Sequence, residues 1–355
     1  MCLPVGALLR GGRPVKEMDY INFESLLDDL KEINVQQGYW MIRTMGGSYY
    51  GDFVRNNYVA IGYNDISLRH LNQLPDTENA AKEELKRLFH ERYPNYSNSG
   101  YPVAQLLHFA RDIKRNDIVI IPSASAVHVA IGVVTGDLYE ESHPVLDDEH
   151  YCTFKKRRPV EWKFYGRRST LPPSLQLMFN SRHILSNVSG YAPYVDSVIN
   201  DCYVKDEVFN LVLRIRTQKA VSLDDFCDLK AISILIYDFS RKYGISSEGT
   251  LDIKIQMESP GWLRLSTKAI GLFLLFGLFT VALTGGGLKF KQGDGWSLYT
   301  NGISGAINDY LDREADRELV KAAVRAIDSL QIKKPEDLQP IIDLLNAKNE
   351  GREKY

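Results

Sequence analysis

The chain has 355 residues, a formal net charge of -2 and four cysteines. That length exceeds the point at which one hydrophobic core stops growing, so two or three domains are expected. A near-neutral balance excludes a uniformly basic coat for nucleic acid, which leaves only a local patch for that role. Cys2, Cys152, Cys202 and Cys227 are far apart and form no C-x-x-C pair, which argues against a zinc ribbon or a disulfide framework and for reduced thiols facing the cytoplasm. Met1 to Arg10 has no basic n-region and no long apolar stretch, so a secretory signal is not expected.

Residues 1–38 read as a lead-in, with Phe23, Leu26, Leu27, Leu30 and Ile33 at helical spacing over Ile21 to Ile33. From Tyr39 the texture changes to short β-like runs separated by Gly, Asn and Pro: Tyr39 to Arg43, Tyr58 to Tyr63, Asp117 to Pro122, His128 to Thr135 and Val160 to Phe164. Asn79 to Tyr93 and Val103 to Ile113 read as helices between them. The runs do not alternate regularly with helices, so residues 39–205 are expected to form an α+β recognition domain around a small, curled, mostly antiparallel sheet. Residues 206–266 follow as a small α/β domain. There, Val208 to Thr217 is a strand, Ser222 with Asp225 forms a capping box, and Gly244 stops the helix. Leu251 to Glu258 and Trp262 to Leu265 form a hairpin around Ser259-Pro260-Gly261.

The span 267–290 carries the sharpest pattern. Twenty residues from Ala269 to Leu288 lack any charge, and a helix of that length would cover about 30 Å, one bilayer core. Gly285-Gly286-Gly287 offers an earlier stop, and the alternative is a helix buried at the centre of a soluble oligomer. Phe273, Gly277, Thr280 and Thr284 fall on one face, a stripe suited to close packing of transmembrane helices or to lining a pore. Residues 291–355 are read as C-terminal helices: one from about Ile303 to Leu330, and a last one from Pro335 through Leu345.

Catalytic patterns are sparse. Restriction-type nucleases need Asp/Glu-x-Lys beside a further acid to hold Mg²⁺. That tripeptide recurs at Asp29, Glu84, Asp112, Glu161, Asp228 and Asp252, so each copy says little, although Asp252 to Lys254 on a strand with Asp238 is the arrangement a nuclease would use. P-loop, dinucleotide, Gly-x-Ser-x-Gly and His-Glu-x-x-His patterns are absent. His143 and His150 bracket Asp147-Asp148-Glu149 in what reads as a solvated loop. No cofactor is expected.

Recognition chemistry is better represented. From Tyr151 to Gly190 eight cations (Lys155, Lys156, Arg157, Arg158, Lys163, Arg167, Arg168 and Arg182) face one acid, Glu161. Trp162, Phe164 and Tyr165 are interleaved with them. Cations for phosphate beside flat rings for bases are what single-stranded nucleic acid or a nucleotide requires. The alternative is a solvated basic strand whose aromatics belong to the core.

Several short motifs follow one another in a known order. They are Gly38-Tyr-Trp-Met-Ile-Arg43, Gly46-Gly47, Phe53, Ala60-Ile-Gly-Tyr63, Gln105-Leu-Leu-His-Phe109, Asn116-Asp-Ile-Val-Ile120, Ala130-Ile-Gly-Val-Val-Thr-Gly136 and Arg157-Arg-Pro-Val-Glu-Trp162. In that order they resemble the EVE-like branch of the PUA superfamily, in the version at the N-terminus of Mrr-like restriction proteins, over about Tyr39 to Ile184. The resemblance implies a small β-barrel with an aromatic-walled pocket for a modified or flipped base, to which Trp40, Arg43, Tyr63, Arg158 and Trp162 would contribute. Tyr63 stands where the family carries tryptophan. The Mrr nuclease half is not seen, and the apolar segment stands in its place. The C-terminal arrangement resembles membrane effectors of the Hailong type, encoded beside nucleotidyltransferases and gated by single-stranded DNA oligomers. Together these resemblances imply an oligomeric anti-phage defence effector in the inner membrane, with its N-terminal domain in the cytoplasm and a nucleic-acid or nucleotide ligand gating membrane disruption or ion conduction. A modification-dependent restriction nuclease and a soluble nucleic-acid-binding scaffold are the alternatives.

Overall fold

A computed structural model describes residues 32–33, 36–142, 151–217, 219–243, 251–256, 261–284, 307, 310–311 and 317–339. The expected lead-in helix before Glu32, the His143 to His150 loop, the triple glycine at 285–287 and the end of the last helix lie outside these residues. The chain divides into two compact units, Gln36–Ile199 and a second made of residues 1–35 with 200–355.

The first unit is α+β around a curled half-barrel sheet. Its strands are β1 (Tyr39–Ile42), β2 (Tyr58–Ile61), β3 (Ile118–Pro122), β4 (His128–Val134), β5 (Tyr139–Glu140), β6 (Lys156–Arg167) and β7 (Leu185–Asn187). They run in the order β2-β6-β4-β3-β1-β7, with β5 also on β6. All pairs are antiparallel except β1 with β3. Alternation along the strands builds a core on each face. Trp40, Ile42, Val119, Ile121, Val160 and Trp162 enter one, which is covered by α1 (Tyr50–Arg55), α2 (Leu68–Asn72), α3 (Glu78–Arg92) and α4 (Gly100–Leu107). Tyr39, Met41, Ile118, Ile120, Val129 and Ile131 enter the other, against α5 (Pro173–Gln176) and α6 (Ala192–Ile199). β6 is far longer than its apolar run, because its first residues pair with β2 and β5 and its later ones with β4. A register shift opposite Ile131 and Gly132 turns the strand there, so Trp162 and Phe164 face different cores.

The second unit has an antiparallel sheet in the order β10-β11-β9-β8, from β8 (Cys202–Lys205), β9 (Val208–Ile215), β10 (Asp252–Gln256) and β11 (Gly261–Thr267). Asp206 and Glu207 both take positive φ, 53° and 60°, as a two-residue hairpin turn of matching twist demands. Helices α7 (Leu223–Lys242), α8 (Ile270–Leu283) and α9 (Arg317–Leu330) pack with this sheet. The capping box read from the sequence is present: Ser222 Oγ accepts from Asp225 N, and the Asp225 carboxylate accepts from Ser222 N.

The apolar segment requires a correction. Among the described residues no helix is long and apolar enough to cross a membrane, so the transmembrane helix and the inner-membrane location expected above are not supported. α8 has 14 residues, about 21 Å at 1.5 Å per residue, well short of a bilayer core. It is apolar all round because it is covered by protein all round: every residue from Gly271 to Val281 is buried, against α7, α9, β9 and β11. The stripe assigned to helix packing or a pore has other partners. Phe273 lies 5.2 Å, centroid to centroid, from Phe209. A Cβ on Gly277 would come 2.9 Å from Leu338 Cδ1. Thr280 and Thr284 return their hydroxyl protons to the Phe276 and Val281 carbonyls. Gly277→Leu should therefore destabilise the chain by about 1–3 kcal/mol through overpacking against Leu338. Chemical denaturation reads this, and an unchanged midpoint would contradict the packing.

Candidate functional site

The resemblance and the basic strand propose site residues that the fold sorts into three groups. The first is turned inward by the strand period. Lys156, Arg158 and Trp162 alternate onto the core side of β6, and all three are buried. Trp162 Nε1 donates to the Phe53 carbonyl at 3.2 Å. Lys156 Nζ donates to the carbonyls of Tyr63 (2.8 Å) and Ile66 (2.9 Å), clamping the loop after β2. Arg158 donates from Nε to Phe109 O and from Nη2 to Ala110 O, on the turn that continues α4. It also lines a cavity of about 500 Å³ with Leu68, Leu71, Arg111, Asp137 and Leu138. Arg157 lies over the Tyr58 ring at 4.2 Å and donates to Phe154 O and Cys152 O. These cations stabilise loops from within.

The second group lies on the surface. Arg167 and Arg182 are exposed, Lys155 is partly exposed, and Lys163 pairs with Glu161. Lys155 is fixed at its backbone, whose N–H donates to Asn64 Oδ1.

The third group builds a cleft of about 650 Å³. Its lining residue Trp40 is fixed by Asp117, a buried carboxylate that accepts from Gly38 N (2.8 Å), Lys114 N (3.0 Å) and Trp40 Nε1 (3.0 Å). Glycine is required at 38, since a Cβ would sit 2.6 Å from Trp40 Nε1. One wall is the stripe Tyr101, Gln105, His108 and Asp112 on α4 and the π-turn after it. His108 lies 6.3 Å from the Trp40 ring, centroid to centroid, and its Nδ1 is 2.5 Å from Asp112 Oδ2. The opposite wall is Leu177, Met178, Ser181 and His183 with β7. Tyr101 and His183 face each other with ring centroids 5.3 Å apart and planes 34° apart.

Arg43 serves this wall from behind. Its guanidinium donates to the Phe179 (2.6 Å) and Ser181 carbonyls, and its pKa is lowered by burial first and by nearby Arg168 second. Arg168 holds the same segment, through Gln176 O at 2.8 Å and the Phe179 ring. Tyr63 stands in a separate cluster with Phe89, Tyr93 and Tyr96, at centroid distances of 5.3, 5.8 and 6.2 Å. Its φ is +61°, an uncommon value for a side chain of this size. Its hydroxyl is pushed up to about 12 by burial, with Tyr96 and the cleft's own Tyr101 adding to the shift. Of the five residues implied by the resemblance, then, Trp40 lines the cleft, Arg43 positions its wall, Tyr63 belongs to the separate aromatic cluster, and Arg158 and Trp162 lie elsewhere in the core.

Sequence reasoning missed Tyr101, Gln105, His108 and His183. The spacing 101, 105, 108, 112 was a signal: a polar and aromatic stripe on a helix whose other face is Val103 and Leu106. Of the nuclease arrangement, Asp252 and Lys254 are exposed on edge strand β10, and the Asp238 carboxylate accepts from Tyr310 Oη at 2.7 Å. Among the described residues no group of three or more His, Cys, Asp or Glu side chains is placed to hold a metal ion.

Lys156 gives a test of the inward strand. Burial lowers its pKa from 10.5 to about 8, against the opposing pull of Glu140 and Asp65. The unfolded chain thus binds a proton that the folded chain releases between pH 8 and 10.5, so this group makes stability rise with pH across that window, by up to about 3 kcal/mol. Lys156→Met should flatten that rise in a series of denaturation curves. Parallel curves for the two proteins would show that Lys156 titrates normally.

Fold and cleft together define an α+β domain with a partly closed sheet and a ring-lined cleft. The profile of a family described as Domain of unknown function (DUF8426) matches residues 41–176, a stretch that lies within the first unit. Comparisons with curated proteins and with solved structures give no match.

Proposed function

We propose that the first unit is a recognition module that takes an unpaired base of single-stranded nucleic acid, or a nucleotide, into the cleft between α4 and β7. The observation that carries this reading is the ring geometry: Trp40, Tyr101, His108 and His183 around a cavity of about 650 Å³, with Tyr101 and His183 forming a tilted pair at its side. A cavity of this size holds a nucleotide-sized ligand, and flat rings stack bases of any sequence. Arg182, exposed and next in sequence to the lining residues Ser181 and His183, is the cation this reading assigns to phosphate. The resemblance to the N-terminal domains of Mrr-like restriction proteins supports a sensing role in anti-phage defence, with the second unit as the part that responds.

Binding of labelled oligonucleotides and mononucleotides tests this. His183→Ala should cost about 1–3 kcal/mol of affinity while leaving thermal unfolding unchanged, because the side chain is exposed. Arg182→Ala should weaken all oligonucleotides alike and lower the slope of affinity against salt by about one phosphate contact. Absence of binding by the wild-type chain to any oligonucleotide or nucleotide overturns the proposal.

A further inference from the structure

We propose that the outer backbone edge of β7, through the N–H and C=O of Asn187, reads the pairing edge of the bound base. The ligand is then a base that is both unpaired and unmethylated on that edge. The inference rests on the reading of the cleft as a base site and adds the element that recognises the base.

The argument is one of remaining hydrogen-bonding groups. Most polar side chains around the cleft are already engaged. Trp40 Nε1 is held by Asp117, His108 by Asp112, and Gln105 Oε1 by Leu185 N at 2.6 Å. Ser181 and Ser186 share one bond at 2.9 Å, and Tyr101 Oη accepts from Ile184 N at 2.6 Å. A base in this cleft has to satisfy its own donors and acceptors or forfeit their hydration.

β7 supplies what the side chains do not. It pairs with β1 on one side and, among the described residues, is the last strand of the sheet. Arg43 N donates to Ile184 O, Val188 N donates to Tyr39 O, both at 2.8 Å, and Ser186 stands opposite Met41. The Ile184 carbonyl, the groups of Ser186 and the Val188 N–H therefore point into the sheet, and antiparallel alternation turns those of Leu185 and Asn187 outward, while the Ile184 N–H, just before the strand, goes to Tyr101. The outward Leu185 N–H is the one taken by Gln105, which confirms the sense of the alternation. Asn187 lines the cleft, and its side-chain Oδ1 is turned back to Ser189 N at 3.0 Å. Its backbone thus offers an N–H and a C=O side by side, the pattern by which one strand residue receives another.

Adjacent donor and acceptor atoms also form the pairing edge of a base: N3–H and O4 of thymine, or N1 and the N6 amino group of adenine. Such a bidentate match is the general means of reading a base taken out of a stack. A peptide strand could present the same atoms, but β7 offers only three residues for a ladder, and the rings around it favour a flat ligand.

The experiment compares short oligonucleotides bearing one central thymine, adenine, N3-methylthymine or N1-methyladenine, titrated against the full chain. It also uses two variants: Asn187→Pro, which removes the N–H without breaking a bond to β1, and Asn187→Ala, which keeps it. Each methylated base should bind at least about tenfold more weakly than its parent, Asn187→Pro should lose about tenfold on the parent bases, and Asn187→Ala should stay within about threefold. If Asn187→Pro fails to fold, the methylated ligands alone decide. Equal affinity for methylated and parent bases overturns this inference and leaves the base site standing. Failure of every oligonucleotide to bind, or binding of an extended peptide in their place, overturns the base site itself.

Discussion

The first unit is organised by two cations that cannot leave its interior. Lys156 and Arg158 sit on a strand whose pairing with β2 and β4 leaves the side chains no choice of face. A buried ammonium or guanidinium without oxygen around it would cost several kcal/mol. Oxygen comes from the carbonyls of Tyr63 and Ile66 after β2, and of Phe109 and Ala110 in the turn that continues α4. The loop carrying Tyr63 and the helix carrying the cleft's polar stripe are thereby both tied to one strand. Burial lowers the pKa of both groups, because the charged form loses its water.

The same arrangement explains why a linear count of charge misleads. Eight cations between Tyr151 and Gly190 read as a field at the surface, yet Lys156 and Arg158 face inward, and Arg157 and Arg168 bind backbone carbonyls. The helix at Glu78 to Arg92 and the cap at Ser222 were legible because they follow from local spacing and local bonds. Trp40 was legible through its motif. β7 was not: a three-residue edge strand has no period to detect, and it becomes a wall of the cleft only because Gln105 and Tyr101 reach it from α4.

α8 illustrates a different limit. A lipid tail and a leucine side chain exclude water equally well, so hydropathy cannot say which of them surrounds an apolar helix. What separates the two cases is the length of the helix and the identity of its neighbours. In the second unit those neighbours are protein: Phe209 and Phe239 against Phe273 and Phe279, and Leu338 over the gap at Gly277. Tyr310 closes the cluster edge-on to Phe239, and its hydroxyl proton goes to Asp238.

The two units also differ in how the chain supplies them. The first is one uninterrupted stretch, whereas the second draws Ile33 onto β8, where its N–H donates to the Val204 carbonyl at 2.9 Å. On the ribosome, Val204 is made only after all of Gln36–Ile199 has been made, and β9, β10 and β11 come later still. Ile33, only 4% exposed in the finished fold, must therefore wait without its partner while a complete domain is synthesised behind it. Contacts of such sequence separation form late and slowly, so Ile33 stays without its partner until the whole of the first unit has been made.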